Sequence, residues 1–381
     1  MTSIAISSGF DGGNIEVVRC DGPDAIELTI PKDSNADFAQ WFSFRLTGAA
    51  NEDCVIRITG LDKSAYPAGW PNYRACVSED RAEWTRADTD YDKAAGTLTI
   101  RITPETNGLW VAYFAPYSMD RHHDLVAETA TMPGIRLETL GKTGDGQDID
   151  LLSMGTGPLS LWIIARQHPG ETMGEWWMEG ALGRLVDPHD PVSRKLRERA
   201  TIYLVPNMNP DGSRRGNLRV NGVGANLNRE WADPTADRSP EVLHVRNRMD
   251  ETGVDFCLDV HGDEAIANNF IAGAEGISGW NDTHQMRLDG WKAALLARSP
   301  DFQVEQGYPV DKSGNANLAI CTNQIAHRFD CLAMTLEMPF KDADVMPDAR
   351  YGWSPARCMT LAEACLDATL QILDDLRPEG N

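Results

Sequence analysis

The first third of the chain alternates between apolar and polar positions, as half-buried β-strands do. Segments 54–58 and 97–103 alternate strictly, and side chains two positions apart lie on one face of a strand. Short turn-forming stretches such as 11–13 and 105–108 separate the candidate strands. Because no helical period longer than two turns occurs here, residues 1–116 are predicted to form an antiparallel β-sandwich with a structural or substrate-shaping role. The other candidate strands are 15–20, 26–30, 38–46 and 109–114.

From residue 117 onward, short apolar runs alternate with amphipathic segments. The run 161–165 is continuously apolar and too short for a helix, which is typical of a buried parallel strand. Strands that alternate with helices predict a mixed, mostly parallel sheet with helices on both faces, so residues 117–381 are predicted to form an α/β domain. The predicted strands are 135–140, 148–154, 159–165, 201–206, 254–260, 268–272 and 332–336. The predicted helices are 118–131, 171–185, 192–199, 240–253, 280–297 and one that begins at 354–355, and a long polar loop covers 207–237.

Charge and composition restrict the classes of partner. The formal net charge of -22 argues against nucleic acid and against anionic membrane surfaces as partners. No apolar run is long enough for a transmembrane helix, and the N-terminus lacks the basic region of a secretory signal. The eight cysteines form no CxxC pair, so we expect reduced thiols and a cytoplasmic protein. A homo-oligomer stays open.

A short motif follows the predicted strand 159–165. His168 is placed at the carboxyl end of this strand and Glu171 opens the next helix, which is the edge where open α/β sheets bind ligands. His261 ends another predicted strand, and Gly262 allows a tight turn there. Two histidines and one glutamate with an open position can form a catalytic zinc site. For the first motif alone, a satisfied histidine and a first-turn glutamate favoured by the helix dipole are the ordinary alternative.

Three further features fall near the same edge. Glu337 ends the strand 332–336, where a carboxylate beside a metal can accept a proton from water. Asp259 precedes His261 by two positions, so it could orient the imidazole. The polar loop carries four arginines, a residue type suited to clamping carboxylates and stabilising oxyanions, although such loops are normally solvated. They are Arg214, Arg215, Arg219 and Arg229.

Two adjacent histidines, His122 and His123, lie in the predicted helix 118–131. We interpret them as a solvated or interdomain pair, in preference to a second metal site.

Together these motifs resemble the M14 metallocarboxypeptidases, the carboxypeptidase A-like family. The resemblance covers roughly residues 118 to 375 and rests on five stretches that occur in the family's order: HPGE, NMNPDG, NLNREW, VHG and TLE. The β-rich first third, the YFAPY junction and the GNLR segment look like the cytosolic carboxypeptidase subgroup. In that subgroup a β-sandwich domain precedes the catalytic domain.

The resemblance implies a fold and a cofactor. Residues 117–381 would form a carboxypeptidase A-like catalytic domain, preceded by a β-sandwich over residues 1–116. One zinc ion per chain would be bound by His168, Glu171 and His261.

The resemblance also implies roles for four more residues. Glu337 matches the general base toward metal-activated water, and later the acid for the leaving amine. Arg219 matches the arginine that polarises the scissile carbonyl. Asn228 and Arg229 match the pair that binds the terminal carboxylate of the substrate. The implied function is hydrolysis of the C-terminal peptide or isopeptide bond of a peptide or protein.

Two other functions stay open at this point. A zinc amidase or deacylase on the same scaffold, similar to aspartoacylase, would act on an N-acylated amino acid. An inactive peptide-binding module belongs to a different class. The pair Asn228 and Arg229, with the long NPDG loop, favours the peptidase, and the presence of Glu337 argues against an inactive module.

Two features of the family pattern are not assigned. The family often uses a mobile tyrosine, and Tyr308 is the only tyrosine between His261 and Glu337. Eukaryotic cytosolic members that remove glutamates use a basic residue upstream of the catalytic glutamate, where this chain offers only His327 and Arg328. Removal of a C-terminal Glu or Asp is therefore not supported.

Overall fold

The computed structural model describes residues 4–377, and its first part is a β-sandwich. Two five-stranded sheets, of order β1-β4-β10-β6-β7 and β2-β3-β5-β9-β8, bury their apolar faces in one core. All pairings are antiparallel except that of β3 with β5. The strands are β1 (Ala5–Ser7), β2 (Glu16–Cys20), β3 (Ile26–Thr29), β4 (Ser43–Thr47), β5 (Cys54–Thr59), β6 (Cys76–Ser78), β7 (Thr85–Arg86), β8 (Asp88–Asp92), β9 (Thr97–Ile102) and β10 (Gly108–Ala112).

The alternating pattern of the sequence explains the strongest of these strands. In β5, Cys54, Ile56 and Ile58 are buried, whereas Arg57 is exposed, so one face of the strand contributes to the core. The segment 38–46 becomes a strand only from its sixth residue, and the short strands β1, β6, β7 and β8 were not predicted. Strands β1, β6 and β7 have only two or three residues, too few to show a two-residue period, and β8 (DTDYD) alternates but contains no buried position. The predicted antiparallel sandwich is confirmed, with one parallel pair as the exception.

The second part is a mixed seven-stranded sheet of order β11-β12-β14-β13-β15-β17-β16. Its four central strands, β14, β13, β15 and β17, are parallel, and the strands at both edges pair antiparallel. The mixed sheet predicted from the sequence is therefore confirmed. The strands are β11 (Ile135–Lys142), β12 (Asp148–Met154), β13 (Leu159–Ala165), β14 (Ala200–Val205), β15 (Phe256–Asp263), β16 (Phe270–Ala272) and β17 (Leu332–Pro339).

Helices cover both faces of this sheet. Apolar side chains of α2, α6 and α8 pack in the core on one face, and those of α5 and α7 pack on the other. Of the helices, α4 and α7 were not predicted; α4 lies within the expected loop. Within residues 4–377, no helix combines the length and apolarity needed to span a bilayer. The helices are α1 (Met119–Ala130), α2 (Met173–Val186), α3 (Pro191–Arg199), α4 (Pro210–Arg215), α5 (Pro240–Thr252), α6 (Asp282–Leu296), α7 (Cys321–Phe329) and α8 (Pro355–Leu376).

The sandwich packs directly against the α/β part. The rings of Tyr113 and Phe340 stack with centroids 4.7 Å apart, and both side chains are buried. The guanidinium of Arg86 donates hydrogen bonds to the carbonyl oxygens of Tyr351 (3.2 Å) and Trp353 (2.9 Å). One continuous apolar core runs through both parts. The sandwich is thus held in a fixed position relative to the seven-stranded sheet.

A buried charge cluster joins α1 to the sheet and α2. His122 Nδ1 lies 2.7 Å from Glu175 Oε1, and its Nε2 lies 3.6 Å from Asp150 Oδ2. Arg166 pairs with the other oxygen of Glu175. His122 is 2% exposed, so the interpretation as a solvated pair is wrong for this residue; the partners of its imidazole are carboxylates inside the α/β part. His123 is exposed.

This cluster predicts a pH-dependent contribution to stability. Burial disfavours protonation of His122, but Glu175 and Asp150 outweigh it and raise the pKa to about 9. Because the pKa rises on folding, protonated His122 stabilises the fold fully below about pH 6.5, and this contribution is lost as the pH rises through about 9. We expect His122→Gln to destabilise most near pH 6, with the difference shrinking by at most about 3 kcal/mol toward pH 10.

Chemical denaturation of both proteins at a series of pH values measures this difference. His123→Gln, on the exposed side of the same helix, is the matched control and should show no such trend. A destabilisation by His122→Gln that stays constant between pH 6 and pH 10 would contradict the prediction.

Candidate functional site

The site forms where three adjacent parallel strands end at one edge of the sheet. His168 follows β13, His261 lies near the end of β15, and Glu337 lies near the end of β17. His261 and Glu337 are direct neighbours in the register of β15 and β17. The chain order reverses between β13 and β15, because β14 pairs on the other side of β13. Such switch points open a crevice in which α/β proteins bind ligands.

A buried group of three side chains converges in this crevice. The Nδ1 atoms of His168 and His261 lie 3.1 Å apart. Glu171 places Oε1 2.7 Å from His168 Nδ1 and Oε2 2.8 Å from His261 Nδ1. One ligand atom from each of the three residues lies within 4.8 Å of the others. The structure thus brings together the three residues that the sequence suggests as metal ligands.

The hydrogen bonds around this group show that it fits a metal ion. His261 Nε2 lies 2.9 Å from Asp259 Oδ2, which also accepts a hydrogen bond from the Gln167 side chain at 2.6 Å. His168 Nε2 lies 3.1 Å from Asn226 Oδ1. Because these acceptors hold one ring proton on each Nε2, the Nδ1 atoms of both rings face the carboxylate and could offer lone pairs to a cation. Two imidazole nitrogens and a carboxylate with an open side are a donor set for catalytic zinc.

The protonation states of the group also suit a cation. Burial, with the nearby Arg219, lowers the pKa of His168 to about 4. Burial opposes ionisation of Glu171, but His168 and His261 hold its pKa below the usual range. Burial likewise opposes protonation of His261, but Asp259 and Glu171 outweigh it and raise the pKa of His261 well above the usual range. A cation bound there would release the proton of His261, since metal ligands bind deprotonated.

Glu337 lies beside this group without belonging to it. Its carboxylate is buried, and among residues 4–377 no hydrogen-bond partner reaches its Oε2 atom. Burial raises the pKa of Glu337 well above its usual range, and the Glu171 and Asp263 carboxylates act in the same direction, against His261. An unpartnered, proton-accepting oxygen next to a metal-ligand group is the arrangement that a general base requires.

Tyr308, which the sequence pattern did not place, faces the same cavity. Its hydroxyl lies 2.7 Å from Asp263 Oδ2 and 3.2 Å from Glu337 Oε1. Tyr308 is 46% exposed and lies on the irregular segment between α6 and α7. A tyrosine in this position can donate a hydrogen bond to a substrate or to Glu337.

Two of the four loop arginines line the cavity. Arg219 Nη1 lies 4.0 Å from Glu171 Oε1, and Arg229 Nη1 donates to the Asn228 carbonyl at 2.6 Å. Asn228 Oδ1 accepts a hydrogen bond from the Cys321 amide at 2.9 Å, so its side-chain NH₂ group remains as a donor. Arg214 and Arg215 instead pair with Asp11 (3.7 Å) and Asp145 (2.7 Å).

The cavity has a volume of about 800 Å³ and draws walls from both parts of the chain. Residues 65–68 of the sandwich form one side. Thr322 and Thr335 also line the cavity, with their hydroxyl groups 2.6 Å apart. His327 and Arg328 are exposed at the end of α7, where Arg328 pairs with Asp250, so neither reaches the cavity. The site residues suggested by the sequence that line it are His168, Glu171, Arg219, Asn228, Arg229 and Glu337, and His261 lies directly beneath them.

The sequence placed Asp259 beside His261, but it did not reveal the other residues that hold the histidines in place. Gln167 links Asp259 to the indole of Trp231, whose Nε1 donates to Gln167 Oε1 at 2.8 Å. Asn226 holds His168. Both Asn226 and Trp231 stand in the NLNREW stretch, and Gln167 precedes His168. These three residues lie within or next to the motifs, which was a signal that they belong to the site. The hydrogen-bond partner of each one is determined only by the fold.

Two protein-family models match this chain and together cover most of its described residues. The zinc carboxypeptidase model of the peptidase M14 family matches residues 123–342, and the model of the cytosolic carboxypeptidase N-terminal domain matches residues 6–114. The zinc carboxypeptidase match includes every site residue that the sequence suggested, and residues 65–68 of the cavity wall lie in the other match.

Known proteins give the same picture. An uncharacterized protein from Zymomonas mobilis is 55% identical over 99% of both chains. A metallo-carboxypeptidase from Pseudomonas aeruginosa, solved in complex with (2-guanidinoethylmercapto)succinic acid, is 41% identical; the match covers 98% of this chain and 100% of that one, with a TM-score of 0.94. Cytosolic carboxypeptidase 1 from Gallus gallus is 25% identical over 81% of this chain, which spans only 28% of that longer protein.

The zinc carboxypeptidase model matches more than half of the chain, and the sandwich that precedes it matches the domain found in the cytosolic subgroup. This protein therefore belongs to the M14 family of zinc carboxypeptidases and is a peptidase with the N-terminal domain of the cytosolic carboxypeptidases.

Proposed function

We propose that this protein is a zinc-dependent metallocarboxypeptidase that hydrolyses the C-terminal peptide or isopeptide bond of a peptide or protein. One observation carries the proposal. A His–Glu–His group that could hold a metal ion, a Glu337 oxygen with no partner among residues 4–377, and two arginines converge on a single cavity. These are the groups that metal-assisted hydrolysis beside a substrate carboxylate requires.

His168, Glu171 and His261 would hold one zinc ion, whose charge would activate water and polarise the scissile carbonyl. Glu337 accepts a proton from the attacking water at its unpartnered oxygen and donates it to the leaving nitrogen. Arg219 donates its N–H groups to the oxyanion that develops on the carbonyl oxygen.

Asn228 and Arg229 bind the terminal carboxylate of the substrate. The side-chain NH₂ of Asn228 and the free N–H groups of Arg229 are donors at the cavity wall, and arginine suits bidentate carboxylate recognition. The succinic acid compound in the Pseudomonas aeruginosa relative carries carboxylates, the group that a peptide C-terminus presents. Tyr308 also lines this cavity.

We also propose that the chain acts in the cytoplasm and divides near residue 116 into a sandwich domain, 1–116, and a catalytic domain, 117–381. All eight cysteines are free thiols, and seven are buried, which suits a reducing compartment. The family matches end at residue 114 and begin again at 123.

A substrate screen separates this function from its rivals. A library of C-terminal peptides with mass-spectrometric detection is compared with a set of N-acylated amino acids, both with the zinc-loaded protein. Release of single C-terminal residues supports the carboxypeptidase, and the library also ranks the side chains that are accepted. Turnover of N-acyl amino acids alone would establish the deacylase, and peptide binding without turnover would establish the inactive module.

Exchange of Glu337 for glutamine tests the general base. Because Glu337 is not a predicted ligand, Glu337→Gln should keep one zinc ion per chain while turnover falls by about 10²–10⁴-fold, the usual contribution of a general base. Zinc is measured by elemental analysis and turnover with a peptide from the screen. Near-normal turnover would rule out this role for Glu337.

His168→Ala tests the ligand set in the opposite way. Removal of one of three ligands should lower zinc occupancy sharply, and activity should be lost together with the metal. The matched control is His123→Ala, which removes an exposed histidine outside the site. Full zinc occupancy in His168→Ala would refute the assignment.

Arg229→Gln tests recognition of the substrate carboxylate. A carboxypeptidase should cleave a peptide with a free C-terminus far better than its C-terminal amide, because the amide cannot pair with Arg229. In Arg229→Gln we expect KM for the free peptide to rise about tenfold or more, since the charge-assisted contact is lost. Arg214→Gln, in the same loop but outside the cavity, should leave KM unchanged; equal effects of the two changes would contradict the assignment.

A further inference from the structure

A carboxylate of the sandwich domain lies inside the arginine loop of the catalytic domain. Asp33 is 5% exposed, and its Oδ1 atom accepts a hydrogen bond from the amide of Leu218 at 2.7 Å. Its Oδ2 atom accepts from the amides of Arg219 at 2.7 Å and Val220 at 3.2 Å. Three successive amides therefore converge on one anion, which is how a backbone nest binds a negative charge.

The residues next to Asp33 extend this contact. The amide of Ser34 donates to Asn217 Oδ1 at 3.0 Å, and the Asn35 side chain donates to the carbonyl of Gly222 at 3.2 Å. Loop segment 217–222 is thus hydrogen-bonded along its length to segment 33–35. A loop held at this many points keeps one backbone conformation.

The side chain of Arg219 is also surrounded by the sandwich domain. Its guanidinium carbon lies 5.3 Å from the ring centre of Tyr66 and 5.9 Å from that of Phe38. On its other side lies the Glu171 carboxylate, 4.0 Å away. The two rings and the Glu171 carboxylate thus flank the guanidinium, and Asp33 binds the amides of the backbone from which it projects.

We propose that Asp33 is a positioning residue for catalysis, through which the sandwich domain completes the active site by holding Arg219 toward the reacting carbonyl. The proposal rests on the proposed function, in which Arg219 stabilises the oxyanion. Such stabilisation depends on donors that are already in place when charge develops. A shift of the 218–220 backbone would therefore lower kcat more than it raises KM, because the interaction is made in the transition state.

Asp33→Asn is the variant that tests this role. The amide keeps the shape of the side chain but replaces one acceptor oxygen with a donor that faces a backbone N–H. With the zinc-loaded full-length protein, we expect kcat to fall by about 10–100-fold, below the 10²–10³-fold cost of removing an oxyanion donor outright. KM should change by less than about threefold, and zinc occupancy should stay at one per chain.

Two readouts separate positioning from mere stabilisation of the fold. Hydrogen exchange followed by mass spectrometry should show faster exchange of the amides in 217–222, with the zinc ligands' segments unchanged. In an Arg219→Ala background, Asp33→Asn should cause no further loss of kcat, because the group it positions is gone. A purely structural role predicts losses that multiply.

Asp37→Asn is the matched control. Asp37 lies in the same segment but is exposed and pairs with Lys32 at 2.8 Å, so its kcat should equal that of the wild type. Asp33→Glu keeps the charge on a longer side chain, and kcat should fall between the wild-type and Asp33→Asn values. If Asp33→Asn does not fold, Asp33→Glu is compared with the wild type and with Asp37→Asn in its place.

The possible outcomes are distinct. A wild-type protein that cleaves no C-terminal peptide overturns the proposed function. Two results with an active wild type would overturn the role of Asp33 alone. One is an unchanged kcat in Asp33→Asn or Asp33→Glu, and the other is a loss of kcat that multiplies with the loss caused by Arg219→Ala. Three results together support the role of Asp33. Amides in 217–222 exchange faster in Asp33→Asn, kcat is lowered, and Asp33→Asn causes no further loss of kcat when Arg219 is already alanine.

Discussion

The parallel register of β13, β15 and β17 is the constraint on which the site depends. It pairs His261 with Glu337 across two neighbouring strands and ends β13 at the same edge, from which His168 projects. A slip by one residue in either pairing would turn a histidine or a carboxylate toward the opposite face of the sheet. Since these strands are almost completely buried, packing on both faces fixes that register. The chemistry of the edge is therefore a consequence of how the strand interiors pack.

Burial of two histidines at that edge requires partners for their ring nitrogens. His168 and His261 each have Nε2 held by an oxygen acceptor, and Asp259 is held in turn by Gln167 and, through it, by Trp231. Buried charge without such partners would be costly to the fold. The polar network thus does two things at once: it makes the fold tolerate the charges, and it turns the coordinating lone pairs toward one point.

The sequence was most informative where a hydrophobic pattern determines an element or a short motif determines the position of a site residue. A continuous apolar run at 161–165 predicted β13, and the strand-end positions of His168, His261 and Glu337 predicted that these residues lie at one edge of the sheet. The sequence was least informative where a contact joins distant segments. Nothing in the surroundings of Asp33 or Tyr308 indicates their partners, because hydrogen bonds between an aspartate and amides 185 residues away depend on tertiary packing. The helix α7 was missed since it is short and its N-cap residue, Ile320, gives no capping signal in the sequence.

The contact of Asp33 with the loop amides also orders events during biosynthesis. The sandwich leaves the ribosome before the loop that it holds, and domains generally fold in that sequence. When the segment 217–222 appears, its anionic partner is already in place, so the loop can close on a formed surface and need not search for it. The same topology has a cost: a contact between such distant segments forms slowly from a fully unfolded chain. Refolding of the denatured protein should therefore recover secondary structure well before it recovers a complete cavity.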